Sequence, residues 1–294
     1  MPLVTTGELV TRAAAGRSAV AAFNIITLEH VEAVIAGAES AEAPVVLQVS
    51  ENAVKFRYGR LLPLARAAVA AAERASVPVA LHLDHVQSDD LLRQAADAGF
   101  SSVMYDAARL PYEQNLAATG AAVDWAHAQG LWIEAELGQV GGKPGPGGRE
   151  NSAEPPLDAH APGARTDPAE ARAFVADSGV NALAVAIGST HAMTTRTATL
   201  DHDLLKRLSA ALDVPLVLHG SSGVPDHELA AAVAGGIAKV NVGTALNIAM
   251  TGAIRDFLAA HPEAVDSRTY LSVGREAMVR AVTGIIRIVG RPAA

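Results

Sequence analysis

Three apolar runs of this 294-residue chain end in clusters that carry histidine: Leu81-His82-Leu83-Asp84-His85, Ile187-Gly188-Ser189-Thr190-His191 and Leu218-His219-Gly220-Ser221-Ser222-Gly223. A fourth ends in two acids, Glu134-Ala135-Glu136-Leu137-Gly138, and a fifth in Asn241-Val242-Gly243-Thr244. The chain has no cysteine, so a metal site would have to use histidines and carboxylates. Neutral imidazole suits Zn²⁺, and three protein ligands leave one position open for substrate, so histidines converging from several strand ends describe a catalytic zinc centre. In an extended strand His82 and Asp84 share a face, and His85 is the first residue past the strand end. Asp84 could take a proton from a substrate hydroxyl held on the metal, or it could orient a neighbouring histidine. His30, His127, His160, His202, His227 and His261 fall in helical or loop segments and are assigned no role.

These clusters need a scaffold that gathers strand ends at one place. Eight short apolar runs can be counted: Ala19–Asn24, Pro44–Ser50, Pro78–Asp84, Ser102–Asp106, Leu131–Glu136, Ala182–Ile187, Pro215–His219 and Lys239–Val242. Between them lie stretches with helical spacing, Leu28–Ala41, Leu61–Ala75, Asp89–Ala98, Leu116–Gln129, Pro168–Ser178, Asp203–Leu212 and Asp226–Ala234. Strands this apolar belong to a parallel sheet covered by helices, and eight βα units close into a (β/α)₈ TIM barrel spanning residues 1–294 as one domain. A doubly wound open sheet is the competitor, but it would more often carry a glycine-rich turn after its first strand, which here reads Phe23-Asn24-Ile25-Ile26. Ala245–Ala260 and Arg275–Ile288 predict extra C-terminal helices. The Gly- and Pro-dense segment Gly138–Pro168 leaves the fifth strand above the barrel mouth and is expected to be a mobile lid.

Composition limits the partners. Twenty-three basic against 31 acidic residues give a net charge of −8 with no run of like charges, which argues against nucleic acid and against anionic membranes. The first residues lack a basic start followed by an apolar stretch, and no window approaches the roughly 18 uncharged apolar residues of a membrane span. A cytoplasmic protein is expected.

Taken in order, these motifs resemble those of class II fructose-bisphosphate and tagatose-bisphosphate aldolases. The resemblance rests on His82-Leu83-Asp84-His85, on Glu134 to Gly138 with Gly141-Gly142, on Ala186 to His191, on Pro215 to Gly223 and on Lys239-Val240-Asn241-Val242, and it runs from Phe23-Asn24 to Asp266-Ser267-Arg268. It implies a metal-dependent barrel aldolase, usually with zinc and often with a monovalent cation such as Na⁺ or K⁺, assembled as a homodimer or homotetramer. His85, His191 and His219 would then be the zinc ligands, Asp84 the acid/base at the carbon-4 hydroxyl, and Asp106 and Glu136 carboxylates behind the ligands. Asn24, Ser50, Gly188, Gly220, Ser222, Asn241 and Thr244 would hold substrate at its dihydroxyacetone phosphate half, and Arg268 would read the far end of the other half. The reaction implied is cleavage of a sugar phosphate, with fructose 1,6-bisphosphate first, through a metal-stabilised ene-diolate.

Several positions depart from that pattern. Acidic residues usually follow the lid's Gly-Gly, whereas here Gly141-Gly142 leads to Lys143-Pro144-Gly145, so Glu150 and Glu154 are the displaced candidates for a second proton transfer, Glu150 first. A glycine often follows the sixth-strand ligand, but here it is Ala192; Gly243 stands where Asp is sometimes found, and Asp106 is followed by Ala107-Ala108 rather than Gly-Ser. A tagatose-bisphosphate or other sugar-phosphate aldolase, and a metal-binding barrel without turnover, are the alternatives. A Schiff-base aldolase would need an interior lysine, and of the chain's four lysines Lys239 is the one expected deep in a strand.

Overall fold

The computed structural model describes residues 2–138, 140 and 163–290. Eight parallel strands close in sequence order: β1 (Val20–Asn24), β2 (Val45–Ser50), β3 (Val79–Val86), β4 (Ser102–Tyr105), β5 (Trp132–Leu137), β6 (Ala182–Val185), β7 (Leu216–Leu218) and β8 (Ile237–Val242). β1 pairs with both β2 and β8, which completes the barrel. Around it run α1 (Thr6–Ala15), α2 (Leu28–Ala41), α3 (Glu51–Phe56), α4 (Leu62–Ala72), α5 (Asp89–Leu92), α6 (Ala95–Ala98), α7 (Tyr112–Ala128), α8 (Pro168–Ser178), α9 (His202–Ala211), α10 (Asp226–Ala234), α11 (Thr244–Ala260) and α12 (Ser267–Val289).

Alternation along the strands divides the molecule into two apolar layers. Outward residues such as Phe23, Leu47, Leu81, Ile133 and Val240 pack against the helices in one continuous core. Inward residues near the strand starts, Val20, Ala22, Val46, Ala80 and Ala238, meet Leu9 and Val10 of α1, which covers the barrel floor. Alanine and valine suit this interior because the closed barrel leaves little room, which accounts for an aromatic content of only 4%. Further toward the mouth the inward positions become polar: Asn24 on β1, Gln48 and Ser50 on β2, His82 and Asp84 on β3, Glu134 and Glu136 on β5, and Lys239 and Asn241 on β8.

Some expectations need correction. α1 was not anticipated, although Thr5 and Glu8 form a reciprocal capping box at its start. The short α3, capped by Ser50, was also missed. Asp89–Ala98 is not one helix but α5 and α6, divided where Gln94 N–H bonds back only three residues to Leu91. α12 starts at Ser267 instead of Arg275, because the Asp266 carboxylate accepts from the Arg268 N–H and caps an earlier turn. The proposed lid lies mostly outside the described residues.

α12 crosses α2 closely enough that a Cβ on Gly37 would fall 2.5 Å from Val282 Cγ1 and 3.1 Å from the Val279 carbonyl. Gly37→Val should therefore lower the melting temperature, with an overpacking cost of about 1–3 kcal/mol. An unchanged melting temperature would show that α12 is not packed against α2 in this way.

Candidate active site

The chemistry-bearing residues gather at the carboxyl ends of the strands. Alternation alone would turn His85 away from the interior that Asp84 faces. β3 instead carries an irregularity between Leu83 and Val86, and His85 adopts φ +51°, in the left-handed region that non-glycine residues seldom occupy. One extra residue and one strained backbone turn thus bring Asp84 and His85 to the mouth together. His191 follows β6 and His219 follows β7. The three rings stand 4.9–6.0 Å apart between centroids, and one nitrogen from each lies within 4.8 Å of the others. Imidazoles converging on one point in this way fit a divalent metal.

Carboxylates flank two of the three rings. His85 Nδ1 lies 2.8 Å from Asp106 Oδ2, a carboxylate that orients the ring. His219 is fully buried, with Nδ1 2.7 Å from Glu136 Oε2 and Nε2 2.8 Å from Glu134 Oε1. Burial alone would lower its pKa, but the two carboxylates outweigh burial and push it up to about 9. His82, left open by the sequence, lies deeper and takes no part in the cluster. Its Nδ1 bonds Ser102 Oγ at 2.7 Å, and burial together with Lys239 pushes its pKa down to about 3, so it is neutral.

Asp84 is oriented by a chain of amides: Gln48 Nε2 donates to Asn24 Oδ1 and Asn24 Nδ2 donates to Asp84 Oδ2, each at 2.9 Å, while Asn241 Nδ2 approaches Oδ1 at 3.4 Å. Burial would raise the Asp84 pKa, yet His85, His219 and Lys239 hold it below the ordinary value, so the carboxylate is ionised. Sequence reasoning missed Gln48. It shares the inward face of β2 with Ser50, and a lone amide inside an apolar run was the available signal.

A cavity of about 560 Å³ opens over these groups, within the usual range for small-molecule sites. Asn24, Ser50, Asp84, His85, His191, Gly220, Ser222, Asn241 and Thr244 are among the residues that line it. Gly220 has φ +65°, and a Cβ there would lie 2.8 Å from the Thr190 backbone, so the turn after β7 requires glycine. Ser222 Oγ accepts from Ala245 N–H at 3.1 Å, which joins this turn to the first turn of α11, where backbone N–H groups and the helix dipole favour an anion. Gly188 is not among the lining residues; it has φ +114°, and a Cβ there would fall 2.7 Å from the Thr199 carbonyl. Gly243 abuts Asn24, and a Cβ there would fall 3.2 Å from Asn24 Oδ1. Ala192 lines the cavity and holds φ +58°, the conformation that the glycine often found at this position adopts without strain.

One predicted residue is not brought to the site. Arg268 sits in the first turn of α12 with its side chain 89% exposed and clasped by Asp266, away from the cavity lining. Glu150, the expected lid base, and Glu154 lie outside the described residues. Lys239 cannot be an imine-forming amine as it stands, since it is fully buried with Nζ 2.8 Å from Glu134 Oε2.

A closed parallel barrel with a three-histidine cluster and an ionised aspartate at its mouth defines a candidate barrel metalloenzyme. Residues 4–292 match the family model for class II fructose-bisphosphate aldolase. The chain is 36% identical over 292 residues to a fructose-bisphosphate aldolase of Geobacillus stearothermophilus, covering 99% of this chain and 98% of the relative. It is 37% identical, over the same shares, to a probable fructose-bisphosphate aldolase of Bacillus subtilis (strain 168). The crystal structure of the YdjI aldolase from Escherichia coli K12 superposes with a TM-score of 0.83 at 30% identity, covering 99% of this chain and 98% of that one. The chain belongs to the class II fructose-bisphosphate aldolase family and is a carbon-carbon lyase; the family is generally metal-dependent. Among the described residues no helix is long and apolar enough to cross a membrane.

The histidine pinned between carboxylates predicts a pH dependence for the metal-free protein. His219 has a raised folded-state pKa, so its contribution to stability is fully present below about pH 6.5, the unperturbed value, and is lost as pH rises through about 9. Melting of chelator-treated protein should fall across that window, and less so in Glu136→Gln. A flat profile in the parent would show that His219 is not held cationic.

Proposed function

We propose that the chain is a zinc-dependent aldolase that cleaves fructose 1,6-bisphosphate, or a close ketose phosphate, to dihydroxyacetone phosphate and an aldehyde. The observation that carries this reading is the placement of an ionised, amide-oriented Asp84 beside three converging histidines in one cavity. His85, His191 and His219 would hold the Zn²⁺. When bound, the metal supplies a Lewis acid that polarises the ketose carbonyl and offsets the negative charge left on the donor half.

The chain's own residues would do the rest. Asp84 is placed to accept the proton of the carbon-4 hydroxyl as the bond between carbon 3 and carbon 4 breaks, and to return it in the aldol direction. Asn24 and Gln48 keep its carboxylate aimed. The Gly220–Gly223 turn with Ser222, Thr244 and the start of α11 would seat the donor phosphate, with Ser50 and Asn241 facing the same half, and a monovalent cation (Na⁺ or K⁺) would assist there. Gly188 would shape the wall behind the substrate. Glu150 is proposed to exchange the second proton from the lid. A homodimer or homotetramer acting in the cytoplasm completes the reading. Support for assembly comes from α11, which buries Leu246 alone and exposes Ile248 and Leu258.

Asp84→Asn should keep zinc and fold but lose turnover by about 10² to 10⁴ in a retro-aldol assay on fructose 1,6-bisphosphate. A kcat near that of the parent would remove Asp84 from proton transfer. The same assay run on tagatose 1,6-bisphosphate and a ketose 1-phosphate ranks the substrates, and no cleavage of any of the three by zinc-loaded protein would contradict the proposal. Borohydride added with substrate should leave no covalent adduct, whereas an adduct on Lys239 would reverse the mechanism.

A further inference from the structure

Two buried ionic groups are left unused by the reaction just described. Lys239 on β8 and Glu134 on β5 have no exposed surface, and neither lines the cavity. Both face inward by alternation, Glu134 two residues before Glu136 and Lys239 two before Asn241. Lys239 Nζ donates to Glu134 Oε2 at 2.8 Å, and Glu134 Oε1 lies 2.8 Å from His219 Nε2. One carboxylate thus bridges a cation on β8 and the histidine that follows β7. Taking an ammonium and a carboxylate out of water costs several kcal/mol each, and apolar residues of the same volume often serve stability as well or better. The pair therefore calls for a role other than holding the fold together.

We propose that Lys239 is a positioning residue for the metal centre: through Glu134 it fixes the Nε2–H of His219 and leaves Nδ1 as the nitrogen that meets the metal. The inference rests on the reading that His85, His191 and His219 bind a divalent metal. Two carboxylates compete for the two ring nitrogens of His219, and they are not equivalent. Glu134 is tied at both oxygens, so giving up the ring would leave a buried anion with half its partners. Glu136 Oε2 holds the other nitrogen at 2.7 Å, and it lies two residues, about 7 Å of strand, nearer the mouth. A metal entering from the mouth meets the Nδ1 side, and the bond it displaces is the one to Glu136. The carboxylate left on Nε2–H fixes the ring orientation and makes Nδ1 a stronger donor, as outer-shell partners of ligating histidines do.

The test is the double variant Lys239→Met with Glu134→Gln, which is uncharged and close in volume. Its metal-free form should unfold cooperatively near the parent's melting temperature. Its Zn²⁺ affinity, measured by competition with a chromophoric chelator, should fall about 10- to 100-fold. The visible spectrum of the Co²⁺-loaded variant should shift with it, since a reoriented ring changes the ligand field. A folded double variant that binds Zn²⁺ as tightly as the parent overturns the inference and leaves the pair structural. If the double variant does not fold, Glu134→Asp decides, because it keeps both buried charges and shortens the carboxylate's reach to the ring; unchanged affinity there overturns the inference as well. A parent that takes up no divalent metal would defeat the metal-site reading along with this one, whereas metal binding that is equal in parent and variants defeats this one alone.

Discussion

The site depends on one constraint: charged groups inside a closed barrel must satisfy one another, because no water reaches them. Lys239, Glu134, His219 and Glu136 form a single run of hydrogen bonds of 2.7–2.8 Å, all from fully or almost fully buried side chains. Burial opposes the charged form of Glu134, yet Lys239 and His219 hold its carboxyl well below the usual carboxylate range. Breaking such a run at one member would strand a charge in low dielectric, which is far costlier than replacing the whole run. The same rigidity that makes the run costly to break also fixes the ring of His219 in direction.

A second run, of neutral amides, leads to Asp84. Gln48 holds Asn24 and Asn24 holds Asp84, so the Asp84 carboxylate is oriented by amides. His85 stands beside Asp84 at the end of β3, and its left-handed backbone is the local strain that brings both side chains onto one side of the sheet. Barrel closure supplies the stiffness behind both, since each strand is paired on two sides and none can shift alone.

Much of the scaffold was legible because its signals are periodic. Strand positions followed from apolar runs, and the closed eight-stranded order followed from their number. The inward pairs His82 and Asp84, Glu134 and Glu136, and Lys239 and Asn241 obey a two-residue spacing that sequence carries openly. What escaped was non-periodic. The bulge at His85 has no glycine or asparagine to mark it, so the sequence suggests a strand that stops at Asp84, whereas β3 runs on to Val86. α1 precedes the first counted apolar run and α3 is only six residues long, so neither stands out as a periodic segment of its own. Arg268 matches a familiar position in sequence, but its partner in space is Asp266, two residues away, and a linear motif does not reveal which contact a long side chain takes. The partnership of Lys239 with Glu134 joins strands far apart in the chain, and only closure of the barrel brings them together.

The central claim, a divalent metal held by His85, His191 and His219 beside Asp84, is tested most directly by anomalous diffraction at the zinc edge from crystals grown with Zn²⁺. The account predicts one strong peak at about 2.0–2.1 Å from a nitrogen of each of the three histidines, with His219 contributing Nδ1 and its Nε2 still on Glu134. A peak bound elsewhere, or none at these three rings, would contradict it.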